Sequence, residues 1–282
     1  MTASPLIQLE DVYYRYPAAP SATTRTAPAL DGLSLCVREG EYVAIVGHNG
    51  SGKSTLARHC NALLVPECGR VQVDGLDTRD PAFHRAIRER VGMIFQNPDN
   101  GIVATVVEDD VAWALAVRGL PASEIRERVR GTLADVGILE LRDRPPQALS
   151  GGQRQRLAIA GVLALRPRCI VADEATALLD PASRVEITRL LHRLRREHGL
   201  AVIQVTHLLE EAALAERVVV LERGRAVLEG SPATVFADLD RLRALKLAIP
   251  EPIALAARLR ASGLPLSPAA LTPERIAREL AP

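Results

Sequence analysis

Apolar residues run without a break through Tyr42-Val43-Ala44-Ile45-Val46, and again through Cys169-Ile170-Val171-Ala172 and Val91-Gly92-Met93-Ile94-Phe95. Short runs with no polar alternation are the pattern of strands covered on both faces, as in a parallel sheet. Ala201 to Val205 gives a fourth, ending at Thr206-His207. Helical patterns stand between them. They cover Leu56 to Leu64, Pro81 to Arg90, and Gln153 to Leu165, which Pro167 ends. Asp180-Pro181 places an N-cap before a proline at the first helical position, and Gly199 closes that helix near Arg196. Its stripe is Val185, Leu190, Leu191 and Leu194, with arginines on the solvated face. Strands alternating with helices predict an α/β fold with a doubly wound, mainly parallel sheet.

Other stretches depart from that rhythm. Ile7 to Tyr16 alternates, and Leu33 to Val37 is a strand that Glu39-Gly40 turns into the run at Tyr42. Two strands joined by a turn predict an antiparallel sheet beside the parallel one. Val71 to Gly75 is a further strand, and Val218–Leu221 and Ala226–Leu228 form a hairpin about Arg223-Gly224. Pro17 to Pro28 reads as a flexible loop. From Gln96 to Leu149 the pattern is helical. Thr105-Val106-Val107-Glu108 has the form of a capping box opening a helix to about Val117, and Ser123 can cap a second that ends near Gly137. After Gly230 no strand pattern remains. Ser231-Pro232 starts a helix through Leu239, followed by helices at Ile253 to Ala261 and Pro273 to Leu280. The expected organisation is one domain over 1–230, with a helical insert at about 97–149, and a small C-terminal helical domain over 231–282.

The first apolar run leads into Gly47-His48-Asn49-Gly50-Ser51-Gly52-Lys53-Ser54-Thr55 and then into a helix, the context of a phosphate-binding loop. Glycines let successive backbone N–H groups converge on phosphate oxygens, and the helix N-terminus adds donors and partial positive charge. Lys53 would reach the β- and γ-phosphates, and the Ser54 hydroxyl would sit on Mg²⁺. Composition strengthens this. The chain carries 35 Lys and Arg, yet only Lys53 and Lys246 are lysines. An arginine-biased chain keeps a compact ammonium where a planar guanidinium does not fit. Asp173, at the end of an apolar strand, suits the metal shell, and Glu174 beside it suits polarising the attacking water.

The totals limit the alternatives. A net charge of +1 argues against a dedicated nucleic-acid binder. No apolar run approaches the length of a bilayer span, and Met1 to Pro5 lacks a signal-peptide pattern. Cys36, Cys60, Cys68 and Cys169 have no metal-ligand spacing and read as reduced cytosolic thiols.

Leu149-Ser150-Gly151-Gly152-Gln153 narrows the picture most. Here the chain resembles the ATP-binding cassette (ABC) ATPases, whose signature reads the same. The resemblance covers roughly residues 6 to 230. It implies an ABC-type P-loop NTPase with a RecA-like parallel core sheet, an antiparallel β subdomain and a helical subdomain. It also implies ATP and Mg²⁺ as ligands, and a signature loop (Ser150, Gly151, Gly152, Gln153) that meets ATP held by a second ABC ATPase, identical or homologous, in a sandwich dimer. Gln96 resembles the glutamine that contacts Mg²⁺ and water, and Asp180 the residue that crosses the dimer interface. His207 resembles the switch histidine on the γ-phosphate. Tyr16 matches the aromatic that stacks on adenine, with Tyr13 and Tyr14 competing. A DNA-acting ABC protein would carry a long coiled-coil insert, and a ribosome-acting one two cassettes.

A finer resemblance is to the ATPases of energy-coupling factor transporters, which import vitamins and transition-metal ions. It rests on Gly47–Gly50, Phe95–Asn100, Val103–Val111 and Asp173–Thr176. It implies a place at the cytoplasmic face of the membrane, a transmembrane scaffold protein contacted beside Gln96, and a substrate-binding membrane protein. Two departures are Gly101, where that family usually has glutamine, and Ala172, smaller than the usual aliphatic.

Overall fold

The computed structural model describes residues 5–17 and 27–281. Most of the expected loop from Pro17 to Pro28, and Met1 to Ser4, lie outside the described residues. In chain order the strands are Ile7–Tyr14 (β1), Leu30–Val37 (β2), Tyr42–Val46 (β3), Cys68–Val73 (β4), Leu76–Asp77 (β5), Val91–Ile94 (β6), Cys169–Asp173 (β7), Ala201–Thr206 (β8), Arg217–Glu222 (β9) and Arg225–Gly230 (β10). The helices are Lys53–His59 (α1), His84–Arg90 (α2), Val107–Val117 (α3), Ala122–Asp135 (α4), Gly151–Leu163 (α5), Pro181–His198 (α6), Leu209–Ala212 (α7), Pro232–Val235 (α8), Leu239–Ala244 (α9), Glu251–Ala261 (α10) and Pro273–Leu280 (α11).

The strands form a six-stranded sheet, ordered β10-β9-β3-β8-β7-β6, and a four-stranded antiparallel sheet, ordered β2-β1-β4-β5. In the larger sheet β9, β3, β8, β7 and β6 pair in parallel, and β10 closes the edge antiparallel to β9. Alternation along the buried strands divides the interior into two layers. Tyr42, Ala44 and Val46 of β3 join Val107, Val111 and Leu115 of α3, Leu157 of α5 and Leu191 of α6 in one core. Val43 and Ile45 face the other way, into a core with Leu56 of α1, Ile87 of α2 and the inner face of the antiparallel sheet. The Glu39-Gly40 turn joins strands of different sheets, so β2 and β3 do not pair; β2 pairs β1 instead.

Local signals hold where the cap is within the segment and yield where tertiary contacts supply the partner. The predicted capping box at Thr105 does not form: Val106 is the N-cap residue of α3 and no side chain caps it. The first N–H groups donate instead to Arg144 O and Arg142 O, each at 3.0 Å. Likewise Pro121, not Ser123, precedes α4. The helix after the phosphate loop stops at His59, because Ala62 turns to φ 54 and its carbonyl accepts from Arg88. In α6 the buried stripe is Ile187, Leu190, Leu191 and Leu194, while Val185 is 46% exposed. The helix expected through Leu239 ends at Val235, since the Asp238 carboxylate caps a new one at Arg241 N.

Beyond Gly230 the chain is helical as expected. Phe236, Leu242, Leu247, Ile253 and Leu271 join the same core as α5 and α6. Ala256, Leu266, Ala270 and Ile276 form a separate small cluster.

Candidate active site

Strand register sets the geometry. Val46 pairs with Thr206 and Asp173 with Val205, so Gly47, His207 and Glu174 leave the sheet at nearly the same level. The phosphate loop curls over this edge. Gly50 and Gly52 take φ 81 and 104, the left-handed region that favours glycine. A Cβ at Gly52 would lie 2.4 Å from Ala29 O, and one at Gly47 2.5 Å from Leu221 O. Among the described residues no side chain caps the first turn of α1, which leaves the N–H groups of that turn as donors for a ligand. Lys53 is 4% exposed, and its ammonium donates to Gly47 O at 2.9 Å and His48 O at 3.1 Å.

The acidic pair meets this loop directly. Ser54 Oγ donates to Asp173 Oδ1 at 2.8 Å. Burial pushes the Asp173 carboxyl above the usual range, while the Ser54 hydroxyl pulls it back. Glu174 turns out of β7 at φ 50. Its carboxylate lies 3.6 Å from Lys53 Nζ and 3.7 Å from His207 Nδ1. Burial lowers the Lys53 ammonium below its usual range and Glu174 opposes the shift. A cation, a proton acceptor and an imidazole thus converge beside the glycine turn.

Oxygen donors fit a hard divalent cation that keeps several water and phosphate ligands. Ser54 and Asp173 supply two such oxygens at hydrogen-bond distance. Among the described residues no cluster of three or more His, Cys, Asp or Glu could hold a metal unaided. Among the described residues the buried Ser51 Oγ has no hydrogen-bond partner.

The other expected site residues are more dispersed. The Tyr16 hydroxyl lies 3.2 Å from Thr55 Oγ1 and accepts from Arg58 at 3.5 Å, so its ring stands beside the start of α1. Tyr14 packs edge-on against both Tyr16 and His59, and Tyr13 lies over Gly32. Gln96 is exposed just past β6, next to the strand that ends in Asp173. Asn49 is exposed at the loop tip. Ser150 caps α5 in a full capping box with Gln153. Its glycines lie against Leu179 and Ser183 rather than in the Lys53–Glu174–His207 group. Asp180 caps α6, accepting from Ala182 N and Ser183 N at 3.0 Å each.

Two parts of the site went unread in the sequence. The Arg223-Gly224 turn walls the phosphate loop, with Gly224 N donating to Ser51 O at 2.9 Å. A buried network behind Glu174 joins Tyr42, Gln204, Thr176 and Glu211. Neither leaves a local pattern, since each depends on strands distant in sequence.

A parallel sheet that cradles a buried lysine at one strand end, and sets acidic residues two strands away, is the build of a phosphate-loop nucleoside triphosphatase. The family profile described as ABC transporter matches residues 30–177. The chain is 54% identical over 280 residues to the energy-coupling factor transporter ATP-binding protein EcfA1 of Symbiobacterium thermophilum, covering 98% of this chain and 97% of that one. The EcfA1 protein of Bacillus subtilis is 44% identical, covering 99% and 98%. Among solved structures, cbiO1 from Clostridium perfringens, part of the ABC transporter complex cbiONQ, is 36% identical, with a TM-score of 0.77 and coverage of 90% and 99%. The ATP-binding cassette MJ0796, a dimer bound to ADP and Pi, is 32% identical, with a TM-score of 0.71 and coverage of 80% and 98%. The chain belongs to the ABC transporter family, among the ATP-binding proteins of energy-coupling factor transporters. It is an ATPase whose hydrolysis of ATP is coupled to transport. Among the described residues no helix is long and apolar enough to cross a membrane.

Proposed function

We propose that this chain powers an energy-coupling factor type importer from the cytoplasmic face of the membrane, driving uptake of a vitamin or a transition-metal ion. The observation that carries the hydrolytic part is the meeting of Lys53, Glu174 and His207 within 3.7 Å steps, beside the Ser54–Asp173 pair. Lys53 and the first-turn N–H groups of α1 bind the β- and γ-phosphates. Ser54, Asp173 and Gln96 would hold Mg²⁺, which would supply charge neutralisation at the phosphates. Glu174 orients the attacking water and accepts its proton, and His207 contacts the γ-phosphate. Tyr16 stacks on adenine.

The Ser150-Gly151-Gly152-Gln153 turn serves a second ABC ATPase. It caps its own helix and packs against Leu179 and Ser183, and by the family resemblance it completes a site held by a neighbour, with Asp180 crossing between them. The dimeric MJ0796 cassette and the membership of cbiO1 in cbiONQ support this reading. A transmembrane scaffold docks beside Gln96, and a substrate-binding membrane protein carries the cargo. The helical tail 231–282, part of which packs on the core of α5 and α6, resembles that of energy-coupling factor ATPases and contributes to contact between the two ATPases.

The test is co-purification of the tagged chain with its membrane partners, followed by ATP-driven uptake in proteoliposomes. A second ATPase, a multispan scaffold and a small substrate-binding membrane protein are expected, with uptake lost in Lys53→Ala. Recovery of the chain without membrane proteins under conditions that preserve transport in cells would refute the importer reading.

A further inference from the structure

Glu174 departs from β7 in the left-handed region, a geometry that costs a non-glycine residue about 1–2 kcal/mol and persists only where neighbours fix it. Its backbone is tied twice, Glu174 N to Val205 O and Ala177 N to Glu174 O, each at 3.0 Å. A third tie comes from two residues on. Thr176 is buried, and its Oγ1 donates to Glu211 Oε1 at 2.5 Å. The other Glu211 oxygen accepts from Gln204 Nε2 at 2.8 Å, and Gln204 Oε1 accepts from Tyr42 at 2.5 Å. Glu211 sits on α7, four residues after His207, and Gln204 sits on the strand that presents His207. The carboxyl therefore stands between the turn that carries Glu174 and the segment that carries His207.

An acidic side chain 4% exposed needs an account, because burial disfavours the charged form and pushes the Glu211 carboxyl above its usual range, with Arg184 opposing the shift. Two donors, the Thr176 hydroxyl and the Gln204 amide, offset part of that cost here. A merely structural role would be met as well by an apolar pair of the same shape. What this bonded carboxyl adds is a fixed direction for each donor: Thr176 lies two residues after Glu174, and Gln204 three before His207.

We propose that Glu211 is a positioning residue for ATP hydrolysis: through the Thr176 hydroxyl it holds the Glu174 turn in register with the His207 segment. This rests on the reading of Glu174 as the group that activates water. The hydrogen bond sets the orientation of a group that reacts only in line with the γ-phosphate, so its loss acts on turnover and spares binding.

The experiment compares Thr176→Val, Thr176→Ser, Thr188→Val and Glu174→Gln in the assembled complex, by steady-state phosphate release and equilibrium ATP binding. Thr176→Val deletes the hydroxyl at constant shape and is expected to lower kcat about 10- to 100-fold with KM for ATP within threefold of wild type. Thr176→Ser restores the donor and is expected to recover kcat to within about threefold. Thr188→Val deletes an equally buried hydroxyl that bonds only Arg184 O of its own helix, and is expected to keep wild-type kcat. Wild-type kcat in Thr176→Val, or an equal loss in Thr188→Val, overturns the positioning role while leaving Glu174 intact as the reactive group. Free turnover in Glu174→Gln refutes the reading of Glu174, and the positioning role falls with it.

Discussion

Replacing Glu174 by glutamine separates the chemistry of this site from its architecture. Glutamine has the same shape and tolerates φ 50 no better and no worse, so β7, its turn and the phosphate loop should stand. What is lost is one negative charge 3.6 Å from Lys53 and 3.7 Å from His207, and the ability to take a proton. Loss of a positioned general base costs roughly 10²- to 10⁴-fold in rate. That equals about 2.7–5.4 kcal/mol of barrier. Binding should move in the opposite sense. Two unit charges about 4 Å apart attract by about 4 kcal/mol at an effective dielectric of 20, before desolvation is subtracted. The Lys53 ammonium in wild type divides its attraction between Glu174 and the phosphates. Freed of that partner it serves the phosphates alone, so ATP affinity should hold or rise by up to about tenfold, a gain of about 1.4 kcal/mol. Single-turnover phosphate release in the assembled complex measures the first effect, and an equilibrium titration with ATP the second. Turnover within tenfold of wild type, or loss of ATP binding, would refute the assignment.

Lys53→Ala should abolish nucleotide binding at this subunit, since it removes a buried ammonium at the phosphate loop; an unchanged ATP titration would contradict this. Gly52→Ala should distort the loop, because its Cβ would lie 2.4 Å from Ala29 O at φ 104, and ATP affinity is expected to fall about 100-fold or more, read by the same titration. His192 stacks on Tyr42 at 4.0 Å, and burial, with Arg195 and Arg196 nearby, holds its imidazole down to about 4. The unfolded chain, with the ordinary histidine value of about 6.5, binds this proton first. The stabilisation is therefore present above that value and lost as pH falls towards 4. Discounted for partial exposure, this is about 1 kcal/mol between pH 7 and 5, which His192→Phe should remove while keeping the ring stack. Urea midpoints at the two pH values check it, and equal acid sensitivity in both proteins would count against the account.

Some of the fold was legible residue by residue. The unbroken run Tyr42–Val46, the glycine turn and Lys53 announce their strand, loop and helix within a dozen positions, because phosphate binding is built from contiguous backbone. Asp180-Pro181 starts its helix as written, because cap and capped groups are two and three residues apart; α5 begins at Gly151, two residues before the expected Gln153, where Ser150 and Gln153 close a capping box. Thr105 and Ser123 fail as caps, because the N–H groups of α3 find the carbonyls of Arg142 and Arg144 and α4 follows directly on Pro121.

The sequence by itself determined the class of chemistry: a lysine among glycines, an acidic pair ending an apolar strand, a serine–glycine turn at a helix start. Only the tertiary structure decided that Glu174 would meet both Lys53 and His207, that the Arg223-Gly224 turn would wall the loop, and that Glu211 would be buried against Thr176. Strand order and register bring those groups together across separations that run from some thirty residues to more than a hundred. Long-range pairing of that kind is fixed by burial of whole sheet faces, and no local spacing encodes it.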